Sequence, residues 1–129
     1  LPVGEDLVEI LLDPGGDAAR AEELYHLVVK PSGVVRCERG VSTSPPLGEA
    51  RAWAAEVAAA VGRHDEYWVA ELAVPLSAFG EDAAERWWGV NFTRFAVQGA
   101  EASSWTGEPR CFYVPRTLGT MLVGPDRPE

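Results

Sequence analysis

Arg-Ala-Trp-Ala-Ala-Glu-Val-Ala-Ala-Ala-Val, residues 51–61, reads in two ways, and the fold class turns on the choice. Its alanines, and the fourfold spacing of Trp53, Val57 and Val61, suit an amphipathic helix. The alternate set Trp53, Ala55, Val57, Ala59 and Val61 equally suits one face of a strand. Propensity alone favours the helix.

The flanking segments are strand-like. On the C-terminal side, Gly62-Arg-His-Asp65 turns the chain into Tyr67–Val74, where Trp68, Ala70, Leu72 and Val74 share one face and Tyr67, Val69, Glu71 and Ala73 the other. Pro75–Gly80 has room for one helical turn, Glu81–Arg86 reads as a charged connection, and Trp87–Gln98 as a long strand. Gly99–Ser103 is expected to be a loop, with Phe112–Pro115 and Leu118–Val123 supplying a closing strand. On the N-terminal side, Asp6–Leu12 is an apolar run that stops at Asp13-Pro-Gly-Gly16, as a buried strand stops at a turn. Glu22–Lys30 and Val34–Cys37, joined through Pro31-Ser-Gly33, predict a hairpin, and Glu38–Glu49 a surface loop. Many short strands punctuated by turn residues indicate an all-β, antiparallel β-sandwich of the jelly-roll or immunoglobulin-like kind.

Bulk properties narrow the function classes. At 129 residues and 47% hydrophobic content, one domain spanning residues 1–129 is expected. A formal charge of −9, from 20 acidic against 11 basic residues, repels a phosphate backbone, so no nucleic-acid partner is expected. No run approaches the length of a membrane span, and the first residues lack the order of a signal peptide. Cys37 and Cys111 are compatible either with one long-range disulfide, which would favour an extracytoplasmic home, or with two small buried thiols.

Five pieces, in order, carry a family resemblance: Val8-Glu9-Ile10 followed by Leu-Leu-Asp-Pro14; Tyr25–Gly33; Glu71-Leu-Ala-Val-Pro75; Trp88-Gly-Val-Asn-Phe92 with Arg94; and Ser104-Trp105 ahead of Phe112–Gly119. Together they resemble the family 9 carbohydrate-binding modules. The resemblance implies a β-sandwich, which makes residues 51–61 extended against their propensity. It also implies strands ahead of the Val8-Glu9-Ile10 motif that this sequence lacks. The chain is therefore expected to be a portion of a larger protein, its sheet completed by another segment, another chain or a dimer partner. The implied function is non-catalytic sugar binding in an accessory module of an extracellular or cell-envelope bacterial protein. The alternative is a structural sandwich that packs on a neighbouring domain and binds no sugar.

Sugar recognition needs aromatic faces and a few planar polar groups. Five tryptophans and three tyrosines supply the first. The ligand-binding candidates are Glu9, Arg94, Trp105, Arg110 and Tyr113, with Asn91 as a further polar group and Trp87 as a ring that an outward face would expose. Trp53, Trp68 and Trp88 are assigned to the core. The aromatic clamp of sugar-binding members falls here at Val3 and near Tyr113, so half of it is replaced, and Thr93 stands where those members carry glutamine. Glu9 and Glu71 sit among apolar neighbours, and a buried carboxylate needs a partner, for which Arg94 is the obvious choice. Asp13 and Asp17 offer oxygen ligands for a structural calcium, although an ordinary turn explains them as well. His26 and His64 have no cysteine or second histidine beside them, and no nucleophile elbow, phosphate loop or dinucleotide fingerprint occurs. No catalytic residues and no cofactor are expected.

Overall fold

The computed structural model describes residues 4–42 and 50–124, and its architecture is an all-β antiparallel sandwich. The strands are β1 (Leu7–Pro14), β2 (Tyr25–Val29), β3 (Val35–Arg39), β4 (Arg51–Ala52), β5 (Ala58–Arg63), β6 (Trp68–Ala73), β7 (Trp87–Ala96), β8 (Glu101–Ser104) and β9 (Gly119–Leu122). Seven of them form one sheet in the order β4-β3-β2-β1-β7-β8, with β9 also paired to β7; β5 and β6 form a separate hairpin. β8 and β9 share one edge of β7, β9 along Trp87–Val90 and β8 along Thr93–Ala96.

The alternation of side chains along β1 and β7 divides the large sheet into two faces. Leu12 stands opposite Val90, Ile10 opposite Phe92 and Val8 opposite Arg94; one residue over, Asp13 stands opposite Gly89, Leu11 opposite Asn91 and Glu9 opposite Thr93. The first set turns toward the β5–β6 hairpin. There Leu12, Tyr25, Leu27, Phe79, Trp88 and Val90 form the main core, with Ile10, Trp53, Val57 and Val74 packed against it. The second set is covered at one end by loops that bring Leu24, Val41 and Phe112 onto Leu11.

Residues 51–61 are extended, in two strands separated by residues 53–57, with no helix. Packing decides against propensity: Trp53, Ala55 and Val57 turn inward at every second position, and the Trp53 indole donates to the Ala78 carbonyl (2.8 Å). Phe79 is the hub of the aromatic core, with ring centroids 4.9 Å from Tyr25, 5.2 Å from Trp53 and 4.7 Å from Trp88. It is delivered by the segment Leu76–Ala84, two 3₁₀ turns kinked at Gly80, whose φ of 59° suits glycine. The charged connection expected over Glu81–Arg86 is exposed apart from Ala83, and its first four residues complete that segment.

Three further expectations are corrected. Gly99–Ser103 is not simply a loop, because Glu101–Ser104 is β8: a tight turn from Val97 to Ala100, closed by Ala100 N–H to the Val97 carbonyl (3.1 Å), folds it straight back on β7. Phe112–Pro115 is not a strand; Pro109 and Pro115 open 3₁₀ turns on either side of it, and only Gly119–Leu122 pairs. The loop expected from Glu38 begins later, since β3 runs on to Arg39; residues 43–49 of it lie outside the described residues. Neither reading of the cysteines describes the chain, as both are free thiols, Cys37 half-buried and Cys111 exposed.

Truncating Phe79 removes the ring that Tyr25, Trp53 and Trp88 share. Phe79→Ala is therefore expected to cost about 3–5 kcal/mol in urea unfolding, whereas Tyr67→Ala, at an exposed ring, is expected to change stability by less than about 1 kcal/mol.

Candidate functional site

The five ligand candidates do not converge. Alternation places Glu9 on the loop-bearing face and Arg94 on the hairpin side, so the expected Glu9–Arg94 ion pair is corrected: the sheet lies between them. Arg94 instead reaches Glu101 on β8 (3.7 Å), with both side chains well exposed. Glu71 is exposed on the outer side of β6 and needs no buried partner. Tyr113 is half-buried against Phe112 (5.4 Å between centroids), and Arg110 is exposed in the 3₁₀ turn Pro109–Cys111. Val3, the other clamp position, lies outside the described residues.

On the loop-bearing face the polar groups are spent on each other. Glu9, 6% exposed, meets His26 Nε2 through Oε1 (2.9 Å) and accepts from the Thr93 hydroxyl through Oε2 (3.3 Å). The other ring nitrogen of His26 meets Glu38 Oε1 (2.9 Å), which also accepts from Ser42 N–H (3.0 Å) and Oγ–H (2.9 Å). His26 thus bridges the two carboxylates, one at each ring nitrogen, and the cluster ties β1, β2 and β3 together. Asn91, fully buried, donates through Nδ2 to Ser104 Oγ (2.9 Å) and to the carbonyls of Thr106 and Phe112 (3.2 Å each), and accepts Thr106 N–H through Oδ1 (3.0 Å). It pins the 104–112 loop to β7, and its amide hydrogens are fully engaged there. His26, inside the apolar run Tyr25–Val29, gave no sequence signal beyond being a lone polar residue there.

The proposed calcium ligands are also accounted for locally. Asp13 Oδ2 accepts Ala18 N–H (3.1 Å), which closes the turn after β1, and no three His, Cys, Asp or Glu side chains gather into a metal site among the described residues.

The other face carries the open aromatic surface. Trp105 continues β8, its N–H bonding the Phe92 carbonyl (2.9 Å), so its ring lies on the same side as that of Phe92, with centroids 6.0 Å apart. Trp105 is 59% exposed and Phe92 45%. What sets the Trp105 ring is Gly119 on β9: a Cβ there would fall 2.5 Å from the indole, so the ring rests directly on glycine backbone. Beside the pair, Phe92 and Arg94 enter a cleft of about 390 Å³ between the sheet and β6, also lined by Val8, Tyr67, Trp68 and Leu72. Asp6 and Glu66 stand at this cleft as hydrogen-bonding carboxylates. An apolar hollow with an exposed aromatic pair and a few charged groups suits a ligand with flat apolar faces and peripheral hydroxyls. Of the candidates from sequence, Trp105 and Arg94 belong here; Phe92 and Trp68 were missed because a strand aromatic reads as core.

Comparison with known proteins finds no matching family model, no matching curated protein and no matching solved structure.

Glu38 provides a pH signature for the buried cluster. Burial would raise its carboxyl, but Ser42 N–H, His26 and the Ser42 hydroxyl outweigh that and hold it below the ordinary value of 4.5. A carboxyl lowered on folding stabilises fully above its unfolded value and loses that contribution as pH falls through the folded one. Glu38→Gln is thus expected to lower stability by about 1–3 kcal/mol near neutrality, with the gap to the unaltered chain narrowing below pH 4.5 in denaturant titrations.

Proposed function

We propose that this chain is a non-catalytic carbohydrate-binding accessory module, of the kind its sequence resembles, and that its sugar site is the exposed surface built on Trp105. The observation that carries the reading is the Trp105 ring, held against Gly119 beside Phe92 and open to solvent. A pyranose presents a C–H face to such a ring while its hydroxyls point outward, within reach of Arg94 and Glu101. Stacking supplies the apolar contact, and the guanidinium, with its fixed fork of donors, supplies orientation. Nothing in this arrangement transfers a proton or attacks a bond; its chemistry is recognition. Glycans met in an extracellular or cell-envelope setting are the ligand class.

A second reading, a sandwich that packs on a neighbouring domain, is favoured by one feature. The inward side of β6, made of Trp68, Ala70 and Leu72, is only half-buried, while Val69 on the outer side is exposed. Apolar surface of this kind is what a protein interface covers.

Calorimetry with cello-, xylo- and manno-oligosaccharides tests the first reading. Saturable heat is expected with at least one series, weakened about tenfold or more by Trp105→Ala and weakened also by Gly119→Ala, which displaces the ring without removing it. Absence of heat with all three series, together with concentration-dependent association in sedimentation, would favour the packing role instead.

A further inference from the structure

A second hollow, on the opposite face, meets the Trp105 surface only at Gly119, which belongs to its lining. Across β1, β7 and β9 runs a row of three neighbours, Asp13, Gly89 and Thr120, in register on the loop-bearing face. The middle member has no side chain, and that of Leu118 lies against it. A Cβ there would come within 3.2 Å of both Asp13 Cβ and Leu118 Cδ1, so a larger residue would press on both neighbours. Two residues along β7 on the same face stands Trp87, 62% exposed, which forms one wall; Arg116, from the 3₁₀ turn Pro115–Thr117, contributes to the lining of a hollow of about 300 Å³.

The groups around this hollow are not consumed elsewhere. Asp13 is only 5% exposed, yet just one of its oxygens is used: Oδ2 takes Ala18 N–H, while Oδ1 makes no hydrogen bond among the described residues. Arg116 forms no ion pair among them either. Asp13 therefore keeps an acceptor oxygen to spare beside the hollow it lines. Burial, and the charges of Asp17, Glu23 and Asp82, also push the Asp13 carboxyl up, against the Ala18 N–H that lowers it.

We propose that this hollow binds a single neutral pyranose ring, stacked on Trp87 and hydrogen-bonded by Asp13, Thr120 and Arg116. The local charge selects the class. Asp17 and Glu85 crowd Gly15 at the rim, with atoms 3.4 and 3.3 Å from where its Cβ would lie, so carboxylates outnumber the one guanidinium and disfavour phosphates and uronates. A bare cation lacks the ligand set it needs. A neutral polyol ring uses what remains: an aromatic face, a carboxylate acceptor, a hydroxyl and a guanidinium donor. At this volume the hollow takes one ring, whereas the Trp105 surface lies along an open cleft.

The indole N–H signals of the intact chain, assigned by single tryptophan substitutions, read the two sites separately. Titration with D-glucose, D-xylose, cellobiose and xylobiose is expected to move the Trp87 signal saturably with at least one sugar, with millimolar affinity. Arg116→Met and Thr120→Val, both on partly or fully exposed side chains, are each expected to weaken that response about tenfold, and inorganic phosphate is expected to leave it unmoved. A Trp87 signal unresponsive to all four sugars, or a response unaltered in both variants, overturns the proposal. The Trp105 signal reports its own site, so either can fail without the other.

Discussion

The antiparallel ladder between β1 and β7 is the constraint on which everything else rests. It runs in unbroken register from Leu7 opposite Phe95 to Pro14 opposite Trp88 at the centre of the large sheet. Because successive side chains on a strand point to opposite faces, this one register decides which residues can ever meet. It sends Leu12 and Val90 into the aromatic core, buries Glu9 beside Thr93, and leaves Phe92 and Arg94 facing the cleft. A slip of one residue would put a carboxylate into the core and the core leucines under the loops.

The two faces handle burial by different means. The hairpin side is held by apolar and aromatic packing around Phe79, with indole and phenol groups reaching carbonyls or carboxylates at its margin, as when Tyr25 donates to Asp82 (2.7 Å). The loop-bearing side is held by saturated polar networks around His26 and Asn91. Such networks are directional, so they fix loop positions that dispersion forces alone would leave loose. Asn91 sets where the 104–112 segment leaves β8, and hence where Trp105 emerges.

Strand-forming segments were legible where alternation and turn residues agreed, as in Tyr67–Val74 and the Tyr25–Arg39 hairpin. Residues 51–61 were legible only through resemblance, because alanine carries helical propensity and the inward anchoring of Trp53 is a tertiary event. β8 escaped notice because Gly-Ala-Glu-Ala-Ser-Ser has loop composition; what makes it a strand is the free edge of β7 beside it. The site was less legible than the fold for a related reason. The faces within β7 can be read from sequence, but whether Glu9 shares a face with Thr93 or with Arg94 depends on register between strands remote in sequence. Phe92 and Trp68 look like core residues, and only the extent of the covering hairpin leaves them open.

The perch of Trp105 on Gly119 carries a consequence for how such modules diverge. The orientation of the exposed ring is written in a residue that has no side chain. One nucleotide change at that codon can therefore displace an exposed aromatic surface while every aromatic and charged group around it stays in the sequence. Descendants of one ancestor can then keep the same inventory of exposed aromatic and charged residues and differ in the surface these make, and a catalogue of those residues would not tell them apart.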